Sequence, residues 1–276
     1  MKGMAITIKT AEEITIMREG GQRLAAILHE VVSAVRPGVS ALYLNKLAER
    51  LMREAGGVPS FKGYRPRGER TPYPAALCVS VNDEVVHAIP QAKTILREGD
   101  IVAIDIGMWW PSVPTENKNG QKNNAAKKTL CTDMAVTIGV GKIDAEAERL
   151  LSGTRVALDA GIAAVRAGVR VGDISAAIGR SLKESRLAIV RDLAGHGVGY
   201  ELHEDPFIPN WGSSGTGPRL EVGIVIALEP IANLGTPDIV LQKDNWTFKT
   251  ADGLRSAHFE HTLAVMENGA EVLTAL

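Results

Sequence analysis

Two histidines stand seven residues apart (203 − 196 = 7) in Gly195-His196-Gly197-Val198-Gly199-Tyr200-Glu201-Leu202-His203-Glu204-Asp205-Pro206. The glycines around His196 allow tight turns and let other groups approach the imidazole. Four carboxylates elsewhere border apolar, strand-like runs. Asp105 closes Ile101-Val102-Ala103-Ile104, and Asp133 opens Met134-Ala135-Val136. Glu229 closes Val225-Ile226-Ala227-Leu228, and Glu260 opens His261-Thr262-Leu263-Ala264-Val265. Burying such an acid is costly unless it is paired or metal-bound. Any one of them alone could cap a turn or make a salt bridge. Four converging acids would repel, and divalent cations held by hard oxygens and an imidazole relieve that repulsion. A pair of such cations is a centre for hydrolysis.

Convergence needs elements that bring distant residues together, and the sequence supplies them twice. Ala34-Val35-Arg36-Pro37-Gly38-Val39 and Ala164-Val165-Arg166-Ala167-Gly168-Val169 agree at five of six positions, at an offset of 130 (164 − 34). Glu98 through Asp105 is echoed by Val222 through Glu229 at an offset of 124 (229 − 105). Each is a turn, an apolar strand and a carboxylate. Asp133 onward is echoed from Glu260 at an offset of 127 (260 − 133). Three correspondences in one order imply an internal duplication, with halves over 10–138 and 144–272. Ile14, Met17, Leu24, Ile27, Leu28 and Val31 recur at helical spacing behind a Thr10/Glu13 capping box, predicting a helix over 10–34. Arg36-Pro37-Gly38 ends it, and a second helix follows over 40–55. Residues 57–76 are predicted as a loop, 77–81 as a strand, and Val85 to Pro90 as an extended run bearing His87. Strands over 101–107 and 132–138 carry Asp105 and Asp133, and helices over 144–165 and 172–186 open the second half. Two helices and a strand pair per half predict an α+β fold, with helices covering one face of a curved sheet. An approximate two-fold between the halves would set Asp105 and Asp133 against Glu229 and Glu260.

With the four acids, His196 completes a five-ligand set. That leaves His203 and His87 beside it, free to act on a substrate. His258 shares strand parity with Glu260 but is read as structural. His261 has the opposite parity and should point away, and His29 is a surface or packing residue of the first helix. The 276 residues suffice for a large core, and 45% hydrophobic with 23% charged residues is ordinary for a globular chain. A net charge of −1 gives no electrostatic reason to bind nucleic acid or an anionic membrane. Met1 to Gly20 holds no apolar core of the signal-peptide kind, and no run reaches the roughly 18 apolar residues of a spanning helix. Cys78 and Cys131 form no C-x-x-C pair and are expected to be reduced thiols of a cytoplasmic protein.

Through nearly its whole length the chain resembles the methionine aminopeptidase family, type I, of the pita-bread fold. The resemblance rests on Cys78-Val79-Ser80-Val81-Asn82, His87-Ala88-Ile89-Pro90, Gly99-Asp100-Ile101-Val102 through Asp105, and Thr132-Asp133. It continues in Gly195-His196-Gly197-Val198-Gly199, His203-Glu204-Asp205-Pro206, Leu228-Glu229-Pro230, Trp246-Thr247 and Phe259-Glu260-His261-Thr262. It implies that Asp105, Asp133, His196, Glu229 and Glu260 hold two divalent ions, drawn from Co, Mn, Fe or Zn. Glu229 would also carry the proton, His203 stabilise the oxyanion, and His87 contact the peptide nitrogen beyond the first residue. Cys78, Tyr73 and Trp246 would line the methionine pocket, with Leu202 a weaker candidate. The implied substrate is the N-terminal Met of peptides and nascent chains, with the ribosome as a further partner. A single catalytic domain spanning 1–276, acting as a monomer, is expected.

Two stretches depart from the family pattern. The region Phe61-Lys62-Gly63-Tyr64-Arg65-Pro66, continuing to Tyr73-Pro74, lacks the histidine the family carries there. Asp105 and Asp133 are 28 residues apart (133 − 105), which implies an inserted hairpin extension over 109–129 with its tip at Asn117-Lys118-Asn119-Gly120. Rival readings are an Xaa-Pro aminopeptidase of the same fold and a non-catalytic binding protein. Xaa-Pro relatives usually carry an additional N-terminal domain, and loss of ligand residues or a basic tail would mark the binding protein.

Overall fold

The computed structural model describes residues 6–66, 71–112 and 128–275. The first half holds α1 (Ala11–Ser33), α2 (Ala41–Glu54), β1 (Val58–Pro59), β2 (Leu77–Val81), β3 (Glu84–Val86), β4 (Ile101–Trp110) and β5 (Leu130–Gly139). The second opens with α3 (Ala145–Ala164) and α4 (Val171–Glu184), then β6 (Ala188–Ile189), β7 (Ala194–Gly197), β8 (Glu204–Pro209) and β9 (Val225–Leu228). It closes with β10 (Ile231–Asn233), β11 (Ile239–Leu241), β12 (Phe248–Thr250), β13 (Ser256–His258), β14 (Glu260–Met266) and β15 (Gly269–Val272). Thr10 and Glu13 form the predicted capping box: the Thr10 amide donates to Glu13 Oε2 at 2.8 Å and the Glu13 amide to Thr10 Oγ1 at 3.3 Å.

The main sheet runs β1-β4-β5-β14-β9-β7-β8, with β2 also on β4 and β15 also on β14, all antiparallel. Its centre is the seam between the halves, where β5 pairs with β14. Two three-stranded sheets, β13-β10-β6 and β11-β12-β3, flank it.

Register decides which face each side chain takes, because alternate residues share a face and paired residues match. Asp105 lies opposite both Cys78 and Ala135, and Glu260 opposite Ala135. Asp133 is two residues from Ala135 and so shares that face. His261 pairs with Leu228, so Glu229, the next residue, returns to the Glu260 side. His196 pairs with Ala227, which faces the same way. The other face is apolar. Val102, Ile104, Ile106 and Met108 pack with Leu24, Leu28, Leu44 and Met52 from α1 and α2. Ile226, Leu228, Leu263 and Val265 pack with Leu150, Leu158, Ile174 and Ile178 from α3 and α4. The helices therefore cover one face of the sheet and leave the other for polar side chains.

Three expectations need correction. His87 lies after β3 in the left-handed region (φ 58°) rather than on an extended run. The 57–76 stretch includes the two-residue strand β1, paired with Met108 and Trp109. The strands bearing Asp105 and Asp133 are longer than predicted, pairing from Ile101↔Gly139 to Trp110↔Leu130. The stem of the 109–129 excursion is therefore regular hairpin. Its tip, Asn117 to Gly120, lies outside the described residues. No helix among the described residues is long and apolar enough to cross a membrane.

Candidate metal centre

Four adjacent strands, β4, β5, β14 and β9, bring Asp105, Asp133, Glu260 and Glu229 to one place, and β7 adds His196. His196 Nε2 lies 3.6 Å from both Asp133 Oδ2 and Glu229 Oε1. One ligand atom each from Asp133, His196 and Glu260 falls within 4.8 Å of the others. Glycine is needed on both sides of His196 because β7 is crowded. A Cβ at Gly195 would collide with the Ala227 carbonyl, and one at Gly197 with the Asp205 carbonyl. The His196 Nδ1–H donates to Gly197 O at 2.9 Å, so Nε2 presents a lone pair to the acids. Thr262 steadies Asp133: its hydroxyl accepts from the Asp133 amide at 3.0 Å and lies 3.1 Å from Oδ1.

The acids are starved of positive charge. Burial pushes Asp105, Glu229 and Glu260 well above the usual carboxylate range, and the neighbouring carboxylates push them further. Burial also raises Asp133, with His196 pulling the other way. Asp105 Oδ1 is buried without a hydrogen-bond partner among the described residues. One orphaned carboxylate oxygen, surplus acid and a bare imidazole nitrogen together fit divalent cations, and fit nothing the described residues themselves offer.

His258 belongs to this cluster. Its Nε2 lies 3.5 Å from Glu229 Oε2 and 3.9 Å from Glu260 Oε2, buried and without a hydrogen bond. Reading it as structural was therefore incomplete, although its parity with Glu260 was the usable signal. Burial, reinforced by His87 and His196, pulls its pKa down to about 3. His261 takes the reverse face, with Nδ1 2.9 Å from Thr274 Oγ1, and His29 is exposed on α1.

Above the acids lies a cleft lined by Phe61, Tyr64, Tyr73, Cys78, Leu202 and Trp246. Tyr73 and Trp246 meet edge to face at 5.1 Å and 74°. The Tyr73 hydroxyl reaches the Leu77 and Ala88 carbonyls at 2.9 and 3.0 Å, holding the ring in the wall. His87 and His203 stand at the cleft's polar side. Burial, then His196, lowers His87 to about 4. His203 reaches solvent through the cleft mouth, yet the protein packed around its ring disfavours the imidazolium, as do His196 and His87. The His196 and His203 rings are 4.4 Å apart. Tyr64, whose Oη lies 2.6 Å from His203 Nδ1, occupies the wall where the family's histidine is missing. No periodicity could have announced that contact.

The model of metallopeptidase family M24 matches residues 15–113 and 124–267. Methionine aminopeptidase 1 of Bacillus subtilis is 39% identical over 269 residues, spanning 98% of this chain and 99% of that protein. The crystal structure of methionine aminopeptidase from Thermotoga maritima superposes with a TM-score of 0.87 at 39% identity, covering 99% of this chain and 100% of that one. The Xaa-Pro dipeptidase from Bacillus anthracis shares the fold at a TM-score of 0.72 and 22% identity, and this chain spans 62% of its length.

Proposed function

The chain belongs to metallopeptidase family M24, and from that membership we propose that it removes the N-terminal methionine of peptides and nascent proteins. The observation that carries the reading is the meeting of four acids and His196 on one sheet face beneath an aromatic cleft. The fold is the pita-bread fold, an α+β architecture in which helices cover a curved antiparallel sheet. One catalytic domain over 1–276, built of halves 10–138 and 144–272, accounts for the paired acids.

Asp105, Asp133, His196, Glu229 and Glu260 would hold two divalent ions, of Co, Mn, Fe or Zn. When bound, such ions acidify water and polarise a carbonyl. The chain's own residues do the rest. Tyr73, Cys78 and Trp246, with Phe61 and Leu202 beside them, enclose the first side chain in apolar surface suited to a thioether. Trp246 Nε1 is buried without a partner among the described residues and offers that sulfur a weak donor contact. His87 binds the peptide nitrogen beyond the first residue. His203 donates to the oxyanion as the water oxygen adds to the carbonyl carbon. Glu229 takes the proton from that water and passes it to the amine as the C–N bond breaks. Its side chain is 14% exposed, against 4% for Asp133 and Glu260, which suits an acid that must reach substrate. A cytoplasmic monomer meeting nascent chains at the ribosome is the corresponding setting.

The test is hydrolysis of Met-Gly and Met-Ala peptides beside Leu and Xaa-Pro peptides, with chelation and metal add-back. Release of methionine that stops on chelation and returns with metal is expected. Activity surviving full chelation, or preference for Xaa-Pro, overturns the reading.

A further inference from the structure

Two histidines whose ring centroids lie 4.4 Å apart have different partners at Nδ1. His196 Nδ1 faces a carbonyl, Gly197 O, which can only accept, so the hydrogen sits on Nδ1 and Nε2 is bare. His203 Nδ1 faces a phenol, Tyr64 Oη, at 2.6 Å across 139 residues of sequence. A phenol can donate, and burial together with Glu201 raises the Tyr64 pKa, keeping its proton in place at neutral pH. A neutral imidazole that accepts at Nδ1 carries its hydrogen on Nε2. Among the described residues nothing bonds His203 Nε2, so that hydrogen is free for a ligand.

Tyr64 is not loosely placed. The Tyr73 amide donates to Tyr64 O at 2.8 Å, and the Gly63 amide donates to Tyr73 O at 2.8 Å. The arm is thus fastened to a tyrosine that is itself buried and bonded on both sides. The Tyr64 and His203 rings stand 5.1 Å apart at 54°.

We propose that Tyr64 is a positioning residue: its hydroxyl donates to His203 Nδ1, fixes the Nε2–H form and holds the ring as an oxyanion donor. The adjacent imidazoles are therefore set to opposite tautomers, one for a cation and one for an anion. The proposal rests on the aminopeptidase reading for its catalytic consequence, but the hydrogen bond itself does not.

Two measurements test it with Tyr64→Phe, which keeps the ring. The first is methionine release from Met-Gly-type peptides by the metal-loaded protein. A fall of about tenfold in kcat with KM little changed is expected, the loss of one aligned hydrogen bond. In a His203→Ala background the same substitution should add nothing, since both changes remove one device. The second is nitrogen NMR of the chelated, histidine-labelled protein. There His203 should change from a single Nε2–H form to a tautomer mixture in Tyr64→Phe. Unchanged kcat, or an equal loss in the His203→Ala background, overturns the catalytic role. An Nδ1–H form in the unsubstituted protein overturns the hydrogen-bond direction. If the unsubstituted protein releases no methionine, the aminopeptidase reading fails instead, and the NMR measurement still decides the contact.

Discussion

The molecule buries acids in two places and treats them oppositely. At the start of α1, Glu204 meets Lys9 Nζ at 2.6 Å with both side chains buried, and it also accepts the Tyr200 and Glu201 amides. Burial alone would raise Glu204, but Lys9, Thr7 and the Glu201 amide carry it below its usual range. Burial wins at Lys9, whose pKa falls, so the pair is held firmly from the acid side by the two amides. Glu13 is likewise raised by burial, but Lys128, the Thr10 amide and Tyr200 bring it down to about 2. At the centre of the sheet, Asp105, Asp133, Glu229 and Glu260 find no lysine or arginine among the described residues, and all are raised. The first cluster is complete within the chain and serves to fasten the segment before α1 to the loop bearing His203. The second is left incomplete, and the missing positive charge must come from outside.

Substitutions can break that contrast. The largest effect is expected from His196→Ala, which would remove the one nitrogen of the proposed ligand set. Bound metal should be lost, and activity should fall by more than about a thousandfold. His203→Ala should keep the metal and lose kcat by about a hundredfold. Metal analysis beside kinetics checks both, and equal metal loss in the two variants would contradict the division of roles.

Next comes a difference in sign. Glu204→Gln strands the buried Lys9 and is expected to cost about 3 kcal/mol of folding stability. In the chelated protein, Glu260→Gln removes one of four repelling acids and should not lower stability at all. Urea unfolding of both variants decides, and destabilisation of similar size would mean that the two clusters are alike.

The smallest effect is a pH dependence confined to the first cluster. The folded pKa of Glu13, about 2, lies below its ordinary value of 4.5. Its contribution is therefore complete above pH 4.5 and lost as pH falls towards 2. Glu13→Gln should flatten the stability profile in that window and leave the slope above it unchanged. A slope between those limits that survives the substitution would assign the effect to other groups.

How much of this was legible follows from the range of each interaction. The four acids and His196 could be read because alternation along a strand is local and similar motifs recur at matching offsets. His258 and Thr262 were readable by the same parity, two residues either side of Glu260. The place of His87 beside them was readable too, but its backbone was not, because a left-handed residue leaves no mark on periodicity. Neither Tyr64 against His203 nor Lys9 against Glu204 could be read, since their partners lie 139 and 195 residues away.

The sequence by itself therefore determined the α+β class, the motifs repeated at matching offsets and the set of acids that one sheet face would collect. Only the tertiary structure decided which acids receive a lysine, which imidazole nitrogen faces a carbonyl or a phenol, and that His258 joins the other three histidines at the cleft. Strand and helix periods carry over a few residues, whereas charge pairing and tautomer depend on atoms brought together by loops and by packing between the halves.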